Sequence, residues 1–255
     1  MIAVFVFSVG IRSYSQERAQ SVLNEGSSNK QTQDYDLEPG VDPDNRLLVP
    51  FLKHLTEDQK HFWTFPARAK KKDLKWILPV AGATAGLIAS DSWISQQVPN
   101  SPSQLDFNHK ISDISLYSLL GAGGGAWILG KLTNNEHLRE TGFLAAEAGI
   151  NATAVTYALK LSTQRQRPYQ ASGTGSFFSG GLSFPSEHSA LSWSIAGVLA
   201  HEYPGPFTKL LAYGLATTVT MTRVTSHQHF TSDVLIGGAI GWYFAHDVYR
   251  AHHDP

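Results

Sequence analysis

The stretch EHLRETGFLAAEAGINATAVTYALKLS, residues 136–162, decides the fold class of this protein. Its apolar and small residues persist over the length of a long helix, and no strict alternation of apolar and polar residues favours a strand. Similar stretches recur from Leu47 onward, separated by Pro, Gly, Asn and Asp. The pattern predicts an all-α domain over residues 47–255.

Six main helices packed as one bundle are predicted in this domain. Prolines, which cannot continue a helix, mark several of their ends. A short additional helix is predicted after Thr56, because the sequence TEDQ at residues 56–59 matches a capping box. The six main helices are predicted at residues 73–96, 112–132, 136–162, 186–202, 207–224 and 233–250.

The N-terminal residues differ from the domain in composition. Residues 1–15 contain an apolar run, 2–9, which has the length of the hydrophobic part of an export signal and is too short to cross a bilayer. They are predicted to be a signal peptide fragment, with a buried strand as the alternative. Residues 16–46 are polar and lack periodicity, so they are predicted to form a poorly ordered arm.

Composition limits the class of function. The chain of 255 residues has a net charge of −1, which disfavours a broadly basic surface for nucleic acid. It contains no cysteine, which excludes disulfides, thiolate catalysis and cysteine-ligated metals. Only 16% of the residues are charged and 42% are hydrophobic, so much of the chain is predicted to be buried in protein or lipid.

The sequence is compatible with two relations to a membrane. Charged side chains such as Asp91, Glu147 and Lys160 interrupt the predicted helices, and none is a clean apolar span of about 20 residues. The mean hydropathy of −0.17 favours a water-soluble or peripherally attached bundle, with an integral membrane protein as the alternative. The basic run at residues 68–72, near Trp63, could contact anionic lipid, although such runs are more often solvated.

Two glycine-rich patterns and several histidines are set aside. Residues 121–126 match a dinucleotide-binding pattern and residues 125–132 nearly match a P-loop, but no strand precedes either, so close helix packing is preferred. The sequence HQH at residues 227–229 and the terminal His252 and His253 lack a carboxylate at a familiar metal-ligand spacing. No metal site is predicted, and the terminal histidines are predicted to be solvated.

The first of three short motifs that carry chemistry contains two cations. Lys160 and Arg167 are seven positions apart and share one face if the helix persists as far as Pro168. At the point where the chain turns, the fork of guanidinium donors on Arg167 can bind an anion bidentately. Taken alone, cations at a helix C-terminus more often complement the helix dipole.

The second motif is the sequence PSEH at residues 185–188. Ser186 is a natural N-cap, and the free N–H groups of a helix N-terminus converge with the imidazole of His188 where an anion would be held. In isolation, an ordinary cap with an incidental histidine is the preferred explanation.

The third motif, TRVTSHQHFTSD at residues 222–233, contains Arg223, His229 and Asp233. His229 and Asp233 are four positions apart and share a face if the segment is helical. The carboxylate then fixes the tautomer of the imidazole and leaves its other nitrogen as a nucleophile. Alone, such a pair is more often a surface pair.

Together, the three motifs resemble the signature of the type 2 phosphatidic acid phosphatase superfamily, which also includes bacterial nonspecific acid phosphatases and vanadium haloperoxidases. The order and gaps of Lys-x6-Arg-Pro, Pro-Ser-x-His and Thr-Arg-x5-His-x3-Asp carry the resemblance. It covers residues 160–233 directly and implies a six-helix bundle over about 73–250. Two positions depart from the family pattern, since Glu187 replaces a glycine and Thr222 replaces a serine.

The resemblance implies metal-free phosphoryl transfer through a phosphohistidine, without a cofactor. His229 is implied as the nucleophile, oriented by Asp233, and His188 as the acid and base for the leaving oxygen and for water. Glu187 departs from the pattern, and its carboxylate is expected to turn outward or to pair with a cation such as Arg165. The implied phosphate ligands are the side chains of Lys160, Arg167, Ser186 and Arg223 and the backbone N–H of Glu187.

The implied substrate is a phosphomonoester or a diphosphate, either soluble or lipid-linked. The implied location of the protein is the bacterial periplasm or the outer face of the inner membrane. Two alternatives stay open. One is a vanadium-dependent haloperoxidase, which would hold vanadate in the same cationic cradle. The other is a non-catalytic, anion-binding helical protein associated with a membrane. No nucleic-acid partner is expected, and the sequence does not decide the oligomeric state.

Overall fold

The computed structural model describes residues 49–71, 74–170 and 173–253, which form seven helices and no strand. The all-α prediction is therefore confirmed for this part of the chain, while the predicted signal peptide fragment and polar arm lie outside it. The six main helices are present as α2–α7, and a seventh helix, α1, precedes them. The helices are α1 Val49–Arg68, α2 Leu74–Gln97, α3 Pro102–Thr133, α4 Glu136–Thr163, α5 Glu187–Glu202, α6 Pro206–Thr225 and α7 Thr231–His253.

Helix α5 lies at the centre of the bundle and packs on α4, α6 and α7. Its contact with α7 is close because glycines leave no side chain between the two backbones. A Cβ on Gly237 would lie 2.2 Å from the carbonyl oxygen of Ser186, and one on Gly241 would lie 2.0 Å from that of Ala190. These two glycines therefore fix the start of α5 against the first turns of α7, where two of the three motifs meet.

Two predicted helix starts are wrong. Thr56 lies inside α1, where its hydroxyl donates to the carbonyl oxygen of Lys53 at 2.8 Å, so it caps no helix. Such back-bonding is the ordinary use of threonine within a helix. Helix α3 starts at Pro102, ten residues before the predicted position, with Ser101 as its N-cap. Proline is favoured in the first turn because its missing N–H would be unpaired there.

The glycine-rich segment lies within α3, so neither nucleotide-binding pattern has the strand that its chemistry needs. Close packing between helices explains only some of the glycines in this segment. A Cβ on Gly123 would lie 3.2 Å from that of Ala145 on α4, whereas a Cβ on Gly124 or Gly125 would have no atom of the described residues within 4 Å. The last two glycines are therefore not required by the contacts within the bundle.

Candidate active site

The three motifs meet at one end of the bundle, so the structure brings all the predicted site residues together. The ends of four helices and two of the loops that join them supply these residues. Lys160 comes from the last turn of α4, Arg167 from the loop after it, Ser186, Glu187 and His188 from the start of α5, Arg223 from the last turn of α6, His229 from the α6–α7 loop and Asp233 from the first turn of α7.

His229 is 1% exposed, and its ring is held by a backbone carbonyl. Its Nδ1 lies 2.8 Å from the carbonyl oxygen of Ser183. A carbonyl oxygen can only accept, so Nδ1 carries the proton and Nε2 of the neutral ring keeps its lone pair. The imidazole is thereby set in the tautomer that a nucleophile needs.

Asp233 does not orient this ring in the predicted way. His229 precedes α7, so the two residues do not share a helix face, and Oδ2 of Asp233 is 3.6 Å from Nδ1. The carboxylate instead accepts from the hydroxyl of Ser183 at 2.5 Å and from the N–H of Phe230 at 2.9 Å. Asp233 therefore acts on His229 chiefly by fixing the residue whose carbonyl holds the ring.

Burial alone would raise the pKa of the Asp233 carboxyl. The neighbouring His229, Arg165 and Ser183 stabilise the ionised form and hold that pKa below its usual value. Asp233 is thus a carboxylate in the folded protein and can accept all of these hydrogen bonds at neutral pH.

Arg165 is the central residue of this region that the motifs do not mark. It is 1% exposed and lies between the rings of Phe177 and Phe230, with its carbon Cζ 4.8 Å and 4.3 Å from their centroids. Its Nη1 donates to Oδ1 of Asp233 at 2.7 Å and its Nη2 to Oδ2 of Asp91 at 2.9 Å. Arg165 therefore joins α2 to α7.

The expected pairing of Glu187 with Arg165 is consequently wrong. Arg165 already has two buried carboxylate partners, whereas Glu187 lies 3.4 Å from Nζ of Lys160. Glu187 therefore does have a cation as its partner, but that cation is Lys160, one of the implied phosphate ligands. In the sequence, Asp91 stands out only as an interruption of an apolar helix, because its partner is 74 positions away.

Arg167 does not lie on α4, contrary to the helical spacing assumed for it. The helix ends at Thr163, and Gln164 adopts a left-handed conformation with φ of 47° while its N–H closes the last turn on Lys160. Arg167 lies in the loop that follows, where its Nη1 donates to Oε1 of Gln228 at 2.7 Å. The loop, rather than a shared helix face, brings it near Arg223.

Arg223 is 5% exposed, and its buried Nε has no hydrogen-bond partner among the described residues. Burial and the charge of Arg167 lower the pKa of Arg223 to about 10. Such crowding of cations costs free energy unless an anion lies among them. The arrangement is therefore suited to an anion with several oxygens.

Ser186 is the N-cap of α5, as predicted, and its hydroxyl accepts from the N–H of Ser189 at 3.5 Å. The first backbone N–H groups of α5 have no partner within the helix, and the dipole makes this end favourable for negative charge. The helix N-terminus therefore adds backbone donors to the cations around it.

Both imidazoles are neutral at pH 7 in this environment. Burial, followed by the charges of Arg223 and its cationic neighbours, lowers the pKa of His188 to about 3. Burial also lowers the pKa of His229 to about 4, although Asp233 opposes the shift. A phosphoryl group bound among the cations would offset their charge and raise the pKa of His188.

An apolar groove of about 880 Å³ runs between α3, α4 and α5. Its lining reaches Tyr157 on α4 and Leu191 on α5, which are one helical turn from Lys160 and Glu187. The wall is almost wholly apolar and includes Trp127, Phe143, Ile150 and Ile195. The groove thus approaches the cationic site along two of the helices that build it.

Within the described residues, one helical segment is long and apolar enough to cross a membrane, judged by length and composition. It is Ile77–Gln97 in α2, and only 6% of its apolar window is buried inside the protein. The expectation that none of the helices would qualify is therefore wrong for α2. Its single acidic residue, Asp91, is among the buried ones because it pairs with Arg165.

Residues 142–255 match the family model of the PAP2 superfamily, and this segment contains all three motifs. The resemblance to the type 2 phosphatidic acid phosphatases is therefore confirmed there. No curated protein matches the chain significantly.

Two solved structures are similar to this chain. One is the first transmembrane PAP2 type phosphatidylglycerolphosphate phosphatase from Bacillus subtilis, with 22% identity, a TM-score of 0.50, and coverage of 68% of this chain and 93% of that one. The other is LpxE from Aquifex aeolicus, with 20% identity, a TM-score of 0.45, and coverage of 59% and 88%. At this level of identity the Bacillus subtilis structure shows a common fold.

Proposed function

We propose that this protein is a metal-free phosphatase that hydrolyses a lipid-linked phosphomonoester or diphosphate through a phosphohistidine. The observation that carries the proposal is the convergence of Lys160, Arg167 and Arg223 with two neutral imidazoles at the N-terminus of α5. Cations and backbone donors of this kind stabilise the charge on phosphoryl oxygens during transfer.

In the first step, the lone pair on Nε2 of His229 attacks phosphorus while the ester P–O bond breaks. The leaving oxygen takes a proton from His188, which the bound phosphoryl group has helped to protonate. In the second step, water attacks phosphorus, gives its proton to His188, and releases inorganic phosphate as the P–N bond to His229 breaks. The carbonyl of Ser183 keeps the proton of His229 on Nδ1 throughout.

The apolar groove supports a lipid rather than a soluble leaving group. It reaches within one helical turn of Lys160, so a phosphate held by the cations can place a hydrocarbon chain along α4 and α5. A wall of apolar side chains gains free energy by burying such a chain, at about 25 cal/mol per Å². A soluble phosphomonoester would leave this surface unused.

We further propose that the protein works at the bacterial envelope, at the outer face of the inner membrane, with α2 in contact with the bilayer. The apolar and almost unburied segment Ile77–Gln97 supports this location. A lipid phosphate would then reach the groove from the membrane, with its head group at the end of the bundle that holds the cations.

A phosphate-release screen tests the function. Purified protein is assayed with lipid monophosphates, lipid diphosphates and soluble phosphomonoesters, each with and without detergent, and in the presence of EDTA. We expect phosphate release from the lipid substrates, and we expect the initial rate to be the same with and without EDTA. Turnover of soluble esters alone would overturn the lipid assignment, and loss of the initial rate with EDTA would overturn the metal-free mechanism.

A further inference from the structure

A second cluster of buried polar side chains lies away from the candidate active site. It consists of His54 on α1, Glu147 on α4 and His252 on α7, and one ligand atom from each lies within 4.8 Å of the others. The side chains of Glu147 and His252 are 1% and 4% exposed. The expectation that the terminal histidines are solvated is therefore wrong for His252.

The nitrogen–oxygen distances in this cluster are close to those between two ligands of one metal ion. Oε2 of Glu147 is 3.4 Å from Nε2 of His252 and 3.7 Å from Nδ1 of His54. Atoms bound at about 2.0–2.1 Å to a tetrahedral zinc ion lie about 3.3–3.4 Å from each other. Both Oε2 of Glu147 and Nδ1 of His54 are buried, and neither atom has a hydrogen-bond partner within the part of the chain that the structure describes.

Two other histidine–carboxylate pairs in the same protein make direct contacts. Nδ1 of His61 lies 3.1 Å from Oδ2 of Asp247, and Nε2 of His137 lies 2.9 Å from Oε2 of Glu202. Wider pairs also occur, with 3.6 Å between Nδ1 of His229 and Oδ2 of Asp233 and between Nε2 of His253 and Oε1 of Glu202. What distinguishes the cluster at Glu147 is that one carboxylate oxygen, Oε2, faces two imidazole nitrogens.

We propose that His54 Nδ1, Glu147 Oε2 and His252 Nε2 bind one divalent first-row transition ion, with zinc as the best match. Two imidazoles and one carboxylate form a donor set that zinc accepts, and its fourth position would be filled by water. Hard cations such as magnesium prefer oxygen donors and fit this set poorly.

A second layer of polar groups holds the carboxylate ligand, as is usual around metal sites. Asp58 is in hydrogen-bonding contact with Glu147. Asp58 in turn accepts from the side-chain amide of Asn151 at 2.7 Å, and Asn151 accepts from that of Gln59 at 2.9 Å. This chain from α1 to α4 fixes the position of Glu147.

The ion would stabilise the fold and take no part in phosphoryl transfer. Glu147 is 13 residues before Lys160 on α4, a separation of about 20 Å along the helix axis. Its three ligands come from three helices, so the ion would fasten α1 and the end of α7 to α4. An ion that binds only the folded state raises the free energy of unfolding by mass action.

Metal content and thermal unfolding of the full chain test the proposal. The protein is prepared without a polyhistidine tag, stripped with chelator, reloaded with Zn²⁺ and freed of excess ion before elemental analysis. The variants are Glu147→Gln and His54→Ala. The control is His61→Ala. It removes an imidazole two helical turns from His54 on α1 and leaves the three proposed ligands intact.

We expect about one equivalent of Zn²⁺ in the wild type and in His61→Ala, and a loss of that equivalent in both ligand variants. Zn²⁺ at about 100 times its Kd should raise Tm by about 5–10 °C in the first two proteins and not in the others. Co²⁺ in place of Zn²⁺ should give tetrahedral visible bands that disappear in the same variants.

A wild type that binds no stoichiometric ion would overturn the proposal, as would equal binding in the wild type and His54→Ala. If Glu147→Gln does not fold, His54→Ala decides, because His54 is at the edge of the cluster with 17% of its side chain exposed. His188 and His229 are present in all of these proteins, so binding at the active site does not separate them. Phosphate release at 25 °C should be the same with and without Zn²⁺, which keeps this test independent of the proposed function.

Discussion

The backbone carbonyl of Ser183 lies 2.8 Å from Nδ1 of His229, and the hydroxyl of the same serine donates to Asp233. Ser183 therefore connects the ring of the proposed nucleophile to a buried carboxylate. That carboxylate is joined through Arg165 to Asp91 on α2. A continuous line of buried polar contacts thus runs from α2 to His229.

His229→Ala is expected to abolish phosphate release while leaving the helical bundle folded. The substitution removes the nitrogen that would attack phosphorus, and the ring's hydrogen bond is to the backbone carbonyl of Ser183, which is not part of the helical core. Phosphate release and circular dichroism measure the two effects. Retention of an appreciable fraction of wild-type turnover would contradict the proposed nucleophile.

The neighbouring His227 supplies the matched control. It lies in the same loop with φ of 54°, a conformation that asparagine tolerates well. His227→Asn should therefore keep most of the activity. An equal loss in both variants would mean that the loop, and not the imidazole of His229, had been damaged.

Arg165→Met is expected to lower the free energy of unfolding by about 3–5 kcal/mol, because it leaves two buried carboxylates without their cation. Those carboxylates, on Asp91 and Asp233, are almost completely buried. Urea unfolding followed by circular dichroism gives the value. A change below about 1 kcal/mol would show that the line of contacts from α2 to α7 is not needed for stability.

Arg223→Ala is expected to reduce kcat/KM by on the order of 10²–10³, as the loss of one preorganised donor to a transition state does. Stability should change little, because Nε of Arg223 finds no hydrogen-bond partner in residues 49–71, 74–170 and 173–253 and its charge lies near that of Arg167. Arg167→Ala should behave in the same way. A wild-type rate in either variant would remove that residue from the phosphate site.

The same variant also tests the electrostatics of His188. Burial is the largest cause of the lowered pKa of His188, which is about 3, and the charge of Arg223 is the next largest. Removal of a positive charge favours the imidazolium, so the pKa should rise in Arg223→Ala towards the ordinary value of about 6.5. Histidine NMR signals followed through a pH titration measure the shift.

Gly124→Phe should raise KM for a long-chain lipid phosphate and leave hydrolysis of a short-chain phosphate nearly unchanged. Gly124 lines the apolar groove, and a Cβ there would have no described atom within 4 Å, so the ring is expected to extend into groove space. Gly125→Phe is the control, since Gly125 is also uncrowded but does not line the groove. Equal effects of the two substitutions would argue against a hydrocarbon chain in the groove.

The sequence identifies the residues that meet at the candidate site better than the residues that hold them in place. The three motifs single out Lys160, His188 and His229 because the residue types and gaps of these motifs resemble a family signature. Asp91 and Ser183 have no such pattern, since each acts through a contact with a residue distant in the chain. Only the folded arrangement shows what they do.

The same distinction applies to the second polar cluster. Its ligands come from positions 54, 147 and 252, so no short spacing in the sequence can reveal them. The prediction of helix boundaries has a different limit, because one short sequence can fit two positions in a helix. Thr56 fits a capping box and an internal helix position equally well, and the contact of its hydroxyl with Lys53 decides for the second.

Glu187→Gln is expected to raise the affinity for phosphate and vanadate several-fold. Glu187 lies 3.4 Å from Nζ of Lys160 and therefore competes with a bound anion for one of its cations. Glu187 also has no positive φ, so the glycine that the family pattern has at this position is not needed here for its backbone freedom. The substitution removes the charge and keeps the size of the side chain.

The gain should be largest at low ionic strength, because the side chain of Glu187 is 38% exposed and salt screens its charge. Inhibition constants for vanadate, measured at two salt concentrations, give the effect. Glu136→Gln, which removes the same charge at the opposite end of α4, should change neither constant. Unchanged or weaker inhibition in Glu187→Gln would mean that the carboxylate helps to position Lys160 for the anion, and competition between Glu187 and phosphate would be rejected.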